Sequence, residues 1–422
     1  STRTVYRRRK ALEMSSVRQQ RHTLESVHPH IVELRRSYPQ AGIKRTRDWL
    51  SQKQIFVSEH LIREYYRRYL PEEILKRKGK RLKRKKFWTP GVFAVVAVDQ
   101  HDKWQEYGLY LHIGMEVFSG AILWLKAWWT NKNPRLICSY YLESCRSHGG
   151  VPLLTQSDPG SENNGIANAQ STIRQHLDPS LVGTLQHQWM RGHTNVKPEI
   201  RWSQLRREFT AQYENLFAAG VINQWYDKHV CLENYIFRWL AIPFLQRNLD
   251  AYVRMYNTSK PRADKNKILP LGRPEHILHH PERFGDARNF KVIVTEADIK
   301  LAEELYAPPT HSVFQLTSPE FDVQIRRHYR ALGEPEVTMD SFWGIYFQLR
   351  QHFLQSPAST ELFRTLALDA EREATIEQEH MPLIEATEMN ETMLNTFWST
   401  VVSESERRNA DVIREVEDHT GV

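Results

Sequence analysis

The chain has 422 residues, 40% hydrophobic and 26% charged, which is the composition of folded domains and excludes a disordered or fibrous chain. No apolar run reaches the roughly eighteen residues that a membrane-spanning helix needs. Cys138, Cys145 and Cys231 contain no Cys-x-x-Cys pair, which argues against a zinc knuckle or a disulfide scaffold and for reduced thiols inside a cell. The net charge of +8 is unevenly spread: residues 1–90 carry 25 Lys and Arg against 8 Asp and Glu, whereas residues 294–422 carry 10 against 24. A basic front attracts a polyanion, and an acidic tail repels one or shields the front when none is bound.

Residues 1–30 are polar, Arg-rich and without a clear period, so they read as a flexible or loosely helical basic segment. With Ser1 in place of Met, the chain reads as a processed piece with room for an upstream segment. His28 and His30 have no cysteine pair downstream, so zinc is not expected there. A first helix is expected from Ile31 until Pro39-Gln40-Ala41-Gly42 breaks it, and a second from Ile43 to about Leu50. Ser58 is a good N-cap for a third, with Leu61, Ile62, Tyr65 and Tyr69 on a buried face and His60, Arg63, Arg67 and Arg68 outward. Three short helices ending in a basic one make a helix-turn-helix pattern over 31–72, whose last helix enters the DNA major groove.

A basic linker follows over 73–90. Nine of the eleven residues from Lys76 to Lys86 are Lys or Arg: Lys76, Arg77, Lys78, Lys80, Arg81, Lys83, Arg84, Lys85 and Lys86. Neutralising phosphates with such a run releases counterions and gives salt-sensitive, sequence-blind affinity for DNA. In a eukaryote the same run reads as a nuclear-import signal, so a nuclear location is expected.

The apolar run Val92–Val98 reads as a strand buried on both faces. Leu109–Met115 and Ala121–Trp128 read as two more strands, 134–147 as a helix ended by Gly149-Gly150, and Leu153–Gln156 as a fourth strand. Helix over 163–177, a fifth strand over 183–190 and helix over about 199–217 complete the order β-β-β-α-β-α-β-α. This is an α/β domain, 91–217, with a mixed five-stranded sheet and flanking helices.

Two acids stand where strands are expected to end: Asp99, after Val98, and Asp158, in Gln156-Ser157-Asp158-Pro159-Gly160-Ser161-Glu162-Asn163. A third, Glu199, follows Pro198 at the start of a helix, with Glu208 and Asp178 as rivals. The distances along the chain are 59 residues from Asp99 to Asp158 and 41 on to Glu199. Ligands on rigid strand ends keep their geometry. Carboxylates gathered this way suit two Mg²⁺ ions about 3.5–4 Å apart, which assist attack on a phosphodiester and departure of its leaving oxygen.

From Asp99 to about Arg206 the chain resembles the integrase core shared by retroviral integrases and bacterial insertion-sequence transposases. Leu109–Gly120 is similar to the family's hydrophobic strand ending in an acid and a Ser-containing turn. Asp158-Pro159-Gly160-Ser161-Glu162-Asn163 is similar to its Asp-Asn-Gly-x-Glu-Phe, and Glu199 with Leu205-Arg206 to its Glu-x5-Leu-[Lys/Arg] helix. Tyr38–Arg67 resembles the helix-turn-helix ahead of insertion-sequence cores, and Arg247–Pro274 with Tyr256-Asn257 the segment after the core. The likeness spans 38–285 and extends to integrase-core proteins of fungal mobile elements. It implies an RNase H-like fold, with Asp99, Asp158 and Glu199 as catalytic ligands of Mg²⁺ or Mn²⁺. It also implies cutting and strand transfer on double-stranded DNA, both element ends and target, by a homo-oligomer. Pro159 replaces the usual Asn, Glu116 stands where the family has a non-catalytic Asp, the last spacing is longer than usual, and the zinc-binding front domain of retroviral integrases is absent.

The first alternative is a domesticated, catalytically inactive integrase-like DNA-binding protein, and the second an RNase H-like nuclease that cuts without joining. Residues 218–293 read as a helical extension of the core. Residues 294–422 read as an acidic helical region with apolar clusters such as Phe342–Phe347, a candidate oligomerisation module. Most tryptophans are expected in the core; Trp128-Trp129 is the exception, since neighbours on a strand face opposite ways and one should be exposed.

Overall fold

The computed structural model describes residue 8 and residues 17–39, 41–76, 89–191, 195–262, 268–285, 287–356 and 359–403. Arg77 to Lys86, and with them most of the basic run, lie outside the described residues.

Three helices come first: α1 (Leu24–Ser37), α2 (Ile43–Gln52) and α3 (Glu59–Tyr69). Helix α1 begins seven residues before the expected Ile31. Thr23 and Ser26 form a reciprocal capping box, and Leu24, Val27, Ile31 and Leu34 bury one stripe at spacings of three and four. That stripe outweighs the hydrogen bond lost at Pro29, which lies inside the helix. Ser58 caps α3 as expected, its side chain accepting from the Leu61 N–H. The buried face of α3 is corrected at two positions. Tyr66 is buried and Tyr69 is exposed, because the Tyr66 hydroxyl bonds Thr46 and the Ala41 carbonyl. His28 is occupied structurally, with Nδ1 3.0 Å from the Tyr65 hydroxyl.

The central sheet has five strands, β1 (Val95–His101), β2 (Tyr110–Glu116), β3 (Ile122–Trp128), β4 (Leu154–Ser157) and β5 (His187–Trp189), in the order β3-β2-β1-β4-β5. The first three are antiparallel neighbours, while β4 and β5 run parallel to β1. All of β2 and all of β1 except Gln100 is buried, as the uninterrupted apolar run requires. Gly114 is a slot for a ring: a Cβ there would strike the Trp124 indole, beside a register shift between β2 and β3. Strand β1 runs to His101, so Asp99 lies within it rather than after it, held by pairing with Ile113 of β2.

Helices α4 (Pro134–His148) and α5 (Asn164–Leu177) cover one face of the sheet. Asn133 caps α4 through the Arg135 and Leu136 amides, Pro134 opens it, and Gly149 closes it at φ +64°. Helix α6 (Val196–Leu205) runs through a π-helical turn at Arg206–Thr210 into α7 (Ala211–Ile222). Helix α8 (Cys231–Thr258) lies along the outer strand β3 and satisfies its free edge with side-chain amides. Asn257 both accepts from the Ile122 N–H and donates to its carbonyl, and Gln246 bridges Ala127 N–H and the Leu125 carbonyl.

The acidic C-terminal region packs onto this core. Trp129 is buried and Trp128 half-buried, correcting the expectation that one is exposed. Their indole N–H groups donate to the carbonyls of Val313 and Gln315. In α11 (Phe342–Gln355), which follows α9 (Glu296–Tyr306) and α10 (Pro319–Ala331), the residues Phe342, Trp343, Ile345 and Tyr346 are buried in the same core cluster. Helix α12 (Ser359–Glu377) follows, and Thr387-Glu388 pairs in parallel with Thr184-Leu185 beside the sheet. No helix among the described residues is long and apolar enough to cross a membrane.

Candidate active site

Along the parallel strands β1 and β4, Ala97 pairs with Gln156. Two residues further on come Asp99 and Asp158. Side chains repeat every second residue and paired positions share a face, so Asp99 within β1 and Asp158 just past the end of β4 are directed to the same face of the sheet. The ladder continues on the other side of β4, where the Met190 N–H donates to the Ser157 carbonyl.

Asp99 is buried. One oxygen accepts from the Gln100 N–H at 3.0 Å and the other from the Trp202 indole at 2.9 Å. Burial, and then the charge of Asp158, push its pKa up to about 7, and Glu199 adds a smaller push in the same direction. Asp99 and Asp158 thus form an electrostatically coupled pair. Glu199 lies in the first turn of α6, one turn before Trp202 and on the same side of the helix, but it is exposed. Among the described residues no three His, Cys, Asp or Glu side chains are gathered as a metal-holding group.

Helix α6 is fixed to the sheet on either side of Glu199. Before it, buried Asn195 donates to the Val98 carbonyl at 2.9 Å; after it, Trp202 reaches Asp99 and packs against the His101 ring at 4.8 Å between centroids. Burial pushes His101 down to about 4, so its imidazole is neutral at physiological pH. Gln100 donates to Asn163 at 2.8 Å, and Asn163 donates to the Asp158 carbonyl, joining the backbones that carry the two acids.

The rivals to Glu199 are engaged elsewhere. Glu208 pairs with Arg45 of α2 and accepts from Tyr252, so it ties the N-terminal helices to the core. Asp178 caps a short turn through Ser180 at the far end of α5. Glu116 is fully buried and accepts from the amides of Phe93, Phe118 and Ser119 and from the Ser119 hydroxyl. It clasps a turn and does not face the pair.

His60, Arg63, Arg67 and Arg68 are all exposed on α3, with Arg63 paired to Glu59. Lys76 ends a short helix whose last side chains are not described, and Arg77, Lys78, Lys80, Arg81, Lys83, Arg84, Lys85 and Lys86 lie outside the described residues. Sequence reasoning missed two contributors. Trp202 was grouped with the core aromatics, although its place three residues after Glu199 aims it where Glu199 aims. Nothing local marks Asn195, whose partner is a backbone carbonyl on a distant strand.

Residues 89–274 match the family model described as integrase core domain. No curated protein matches the chain. Strand order, flanking helices and the match agree: residues 89–274 are an integrase core of the RNase H-like superfamily.

Proposed function

We propose that this protein is an integrase or transposase that cuts and joins DNA ends, with Asp99, Asp158 and Glu199 as its catalytic acids. The observation that supports this reading is that Asp99 and Asp158 both lie two residues beyond the Ala97–Gln156 pair of a sheet within the matched region, with the charge of Asp158 acting on Asp99.

Integrase cores generally use divalent cations, and the donor set here suits one. Two adjacent carboxylates, one of them buried and resisting ionisation, are stabilised by a cation with hard oxygen preference. Asp99 and Asp158, with Glu199, would hold Mg²⁺ or Mn²⁺, which would supply Lewis-acid activation of the attacking oxygen and charge relief at the leaving one. The protein's own part is positioning. Trp202 and the Gln100 amide fix the Asp99 carboxylate, and the Asn195 and Trp202 tethers hold the first turn of α6 against β1. The exposed face of α3 and the basic run that follows would hold duplex DNA by its phosphates. The same run supports a nuclear location, and joining two ends favours a homo-oligomer.

The exposure of Glu199 favours a second reading, a DNA-binding relative that no longer cuts. Incubation with DNA duplexes, including any inverted repeats found beside the gene, with Mg²⁺ or Mn²⁺, separates the two. Joined products that vanish in Asp99→Asn and Asp158→Asn support the integrase. Binding with no cutting under any cation supports the second reading.

A further inference from the structure

A groove of about 760 Å³ runs along the sheet face that carries Asp99 and Asp158. Its floor is Val95, Gln156, Gln188 and Met190, and its wall includes Asn395 and Trp398. Gln156 and Gln188 are cross-strand partners on β4 and β5, so the groove begins two residues from the acids along the strands, roughly 7 Å. That is about two base steps of a DNA strand at 3.4 Å each.

The wall is a helix over 391–403. Asn395, Trp398, Ser399 and Val402 all line the groove, and their spacing of three, four and seven makes them one helix face. Trp398 is half-buried and packs on Val95, Ala97 and Val117, so its indole is held against the sheet. The segment leading to the helix is anchored at the outer strand, where Glu388 accepts from the Trp189 N–H and pairs with Arg191 at 3.0 Å.

Among the described residues, those that line the groove are uncharged, so this lining suits a neutral ligand better than a phosphate. Gln156 is buried and its amide donates to Asn195, but the carboxamides of Gln188 and Asn395 offer paired donors and acceptors of the kind that read base edges, and an indole offers a stacking platform. The volume falls within the usual range for small organic ligands. We propose that this groove binds an unstacked nucleobase of the DNA strand beside the phosphate held at Asp99 and Asp158, with Trp398 stacking on the base and Gln188 contacting its edge. The inference rests on the proposed DNA chemistry for the place of the phosphate. It gives the C-terminal region, which lies beyond the matched core, a part in substrate recognition.

The test uses the full chain and two otherwise identical duplexes, one blunt and one with a three-nucleotide single-stranded 3′ extension carrying 2-aminopurine. Wild-type protein is expected to bind the extended duplex about tenfold more tightly and to change the 2-aminopurine fluorescence. Trp398→Ala and Gln188→Ala should each lose that preference, and Trp398→Phe should keep most of it; Gln188→Ala covers the case in which Trp398→Ala disturbs packing. Equal affinity for the two duplexes, or a preference that survives in both alanine variants, overturns the proposal. A protein that prefers the extension yet never cuts supports the groove and contradicts the integrase reading. One that cuts and joins without the preference contradicts the groove alone.

Discussion

Asp99 and Glu116 show how two buried acids in paired strands come to differ. Glu116 spends its oxygens on four donors of a turn, so Glu116→Ala would orphan buried amides at about 1–3 kcal/mol each. Its thermal unfolding should fall by well over 10 °C, or the variant should fail to fold. Asp99 has two donors and an acidic neighbour, and its pKa is raised to about 7. The sign follows from that direction. A carboxyl harder to ionise when folded contributes stability that is full below about pH 4 and is lost as pH rises through 7. In metal-free buffer Asp99→Asn should therefore gain on wild type in melting temperature between pH 4 and pH 7.5. A difference between the two that stays flat across that range would mean that Asp99 does not titrate there.

At the scale of elements, the basic face of α3 carries its own prediction. Replacing Arg67 and Arg68 by Ala should weaken binding to any duplex alike and lower the slope of log affinity against log salt by about 2. Helix α7 packs tightly enough to fail by one methyl group: a Cβ on Gly220 meets the Trp343 ring of α11, so Gly220→Ala should cost about 1–3 kcal/mol in chemical denaturation. The elements also show what a sequence makes legible. Periodicity and caps placed the sheet strands and helices of the core to within a residue or two at most ends, because burial on both faces and Asn, Pro and Gly at helix ends are local signals. Helix α1 starts earlier than its sequence suggests because the polar, Arg-rich segment up to residue 30 hides the Thr23 capping box and the buried stripe from Leu24. Strand β1 was ended early because Asp99, Gln100 and His101 are polar, and only pairing with β2 carries them into the sheet. The Asp99–Asp158 pairing follows from register, which no local pattern states, although the family motif pointed to both residues.

The whole molecule shows what the acidic C-terminal region does with part of its charge. Glu373 pairs with Arg238, a guanidinium almost fully enclosed between the Tyr235 and Trp129 rings. Glu379 meets Arg135, and Glu388 meets Arg191. The apolar clusters that suggested an oligomerisation module are largely spent inside the chain, as Phe342, Trp343 and Tyr346 show. Such long-range closure has no sequence signature beyond complementary charge. Glu373→Ala should cost about 3–5 kcal/mol in chemical denaturation, since it leaves the Arg238 charge buried without its carboxylate; a loss under 1 kcal/mol would mean that water takes the place of Glu373.

The central claim is that Asp99, Asp158 and Glu199 together form one divalent-cation site. Calorimetric titration of the metal-free protein with Mn²⁺ tests it most directly. Binding to wild type that disappears in Asp99→Asn and in Asp158→Asn, and weakens in Glu199→Gln, is the predicted result. Undiminished Mn²⁺ binding in either Asp variant, or in Glu199→Gln, would contradict it.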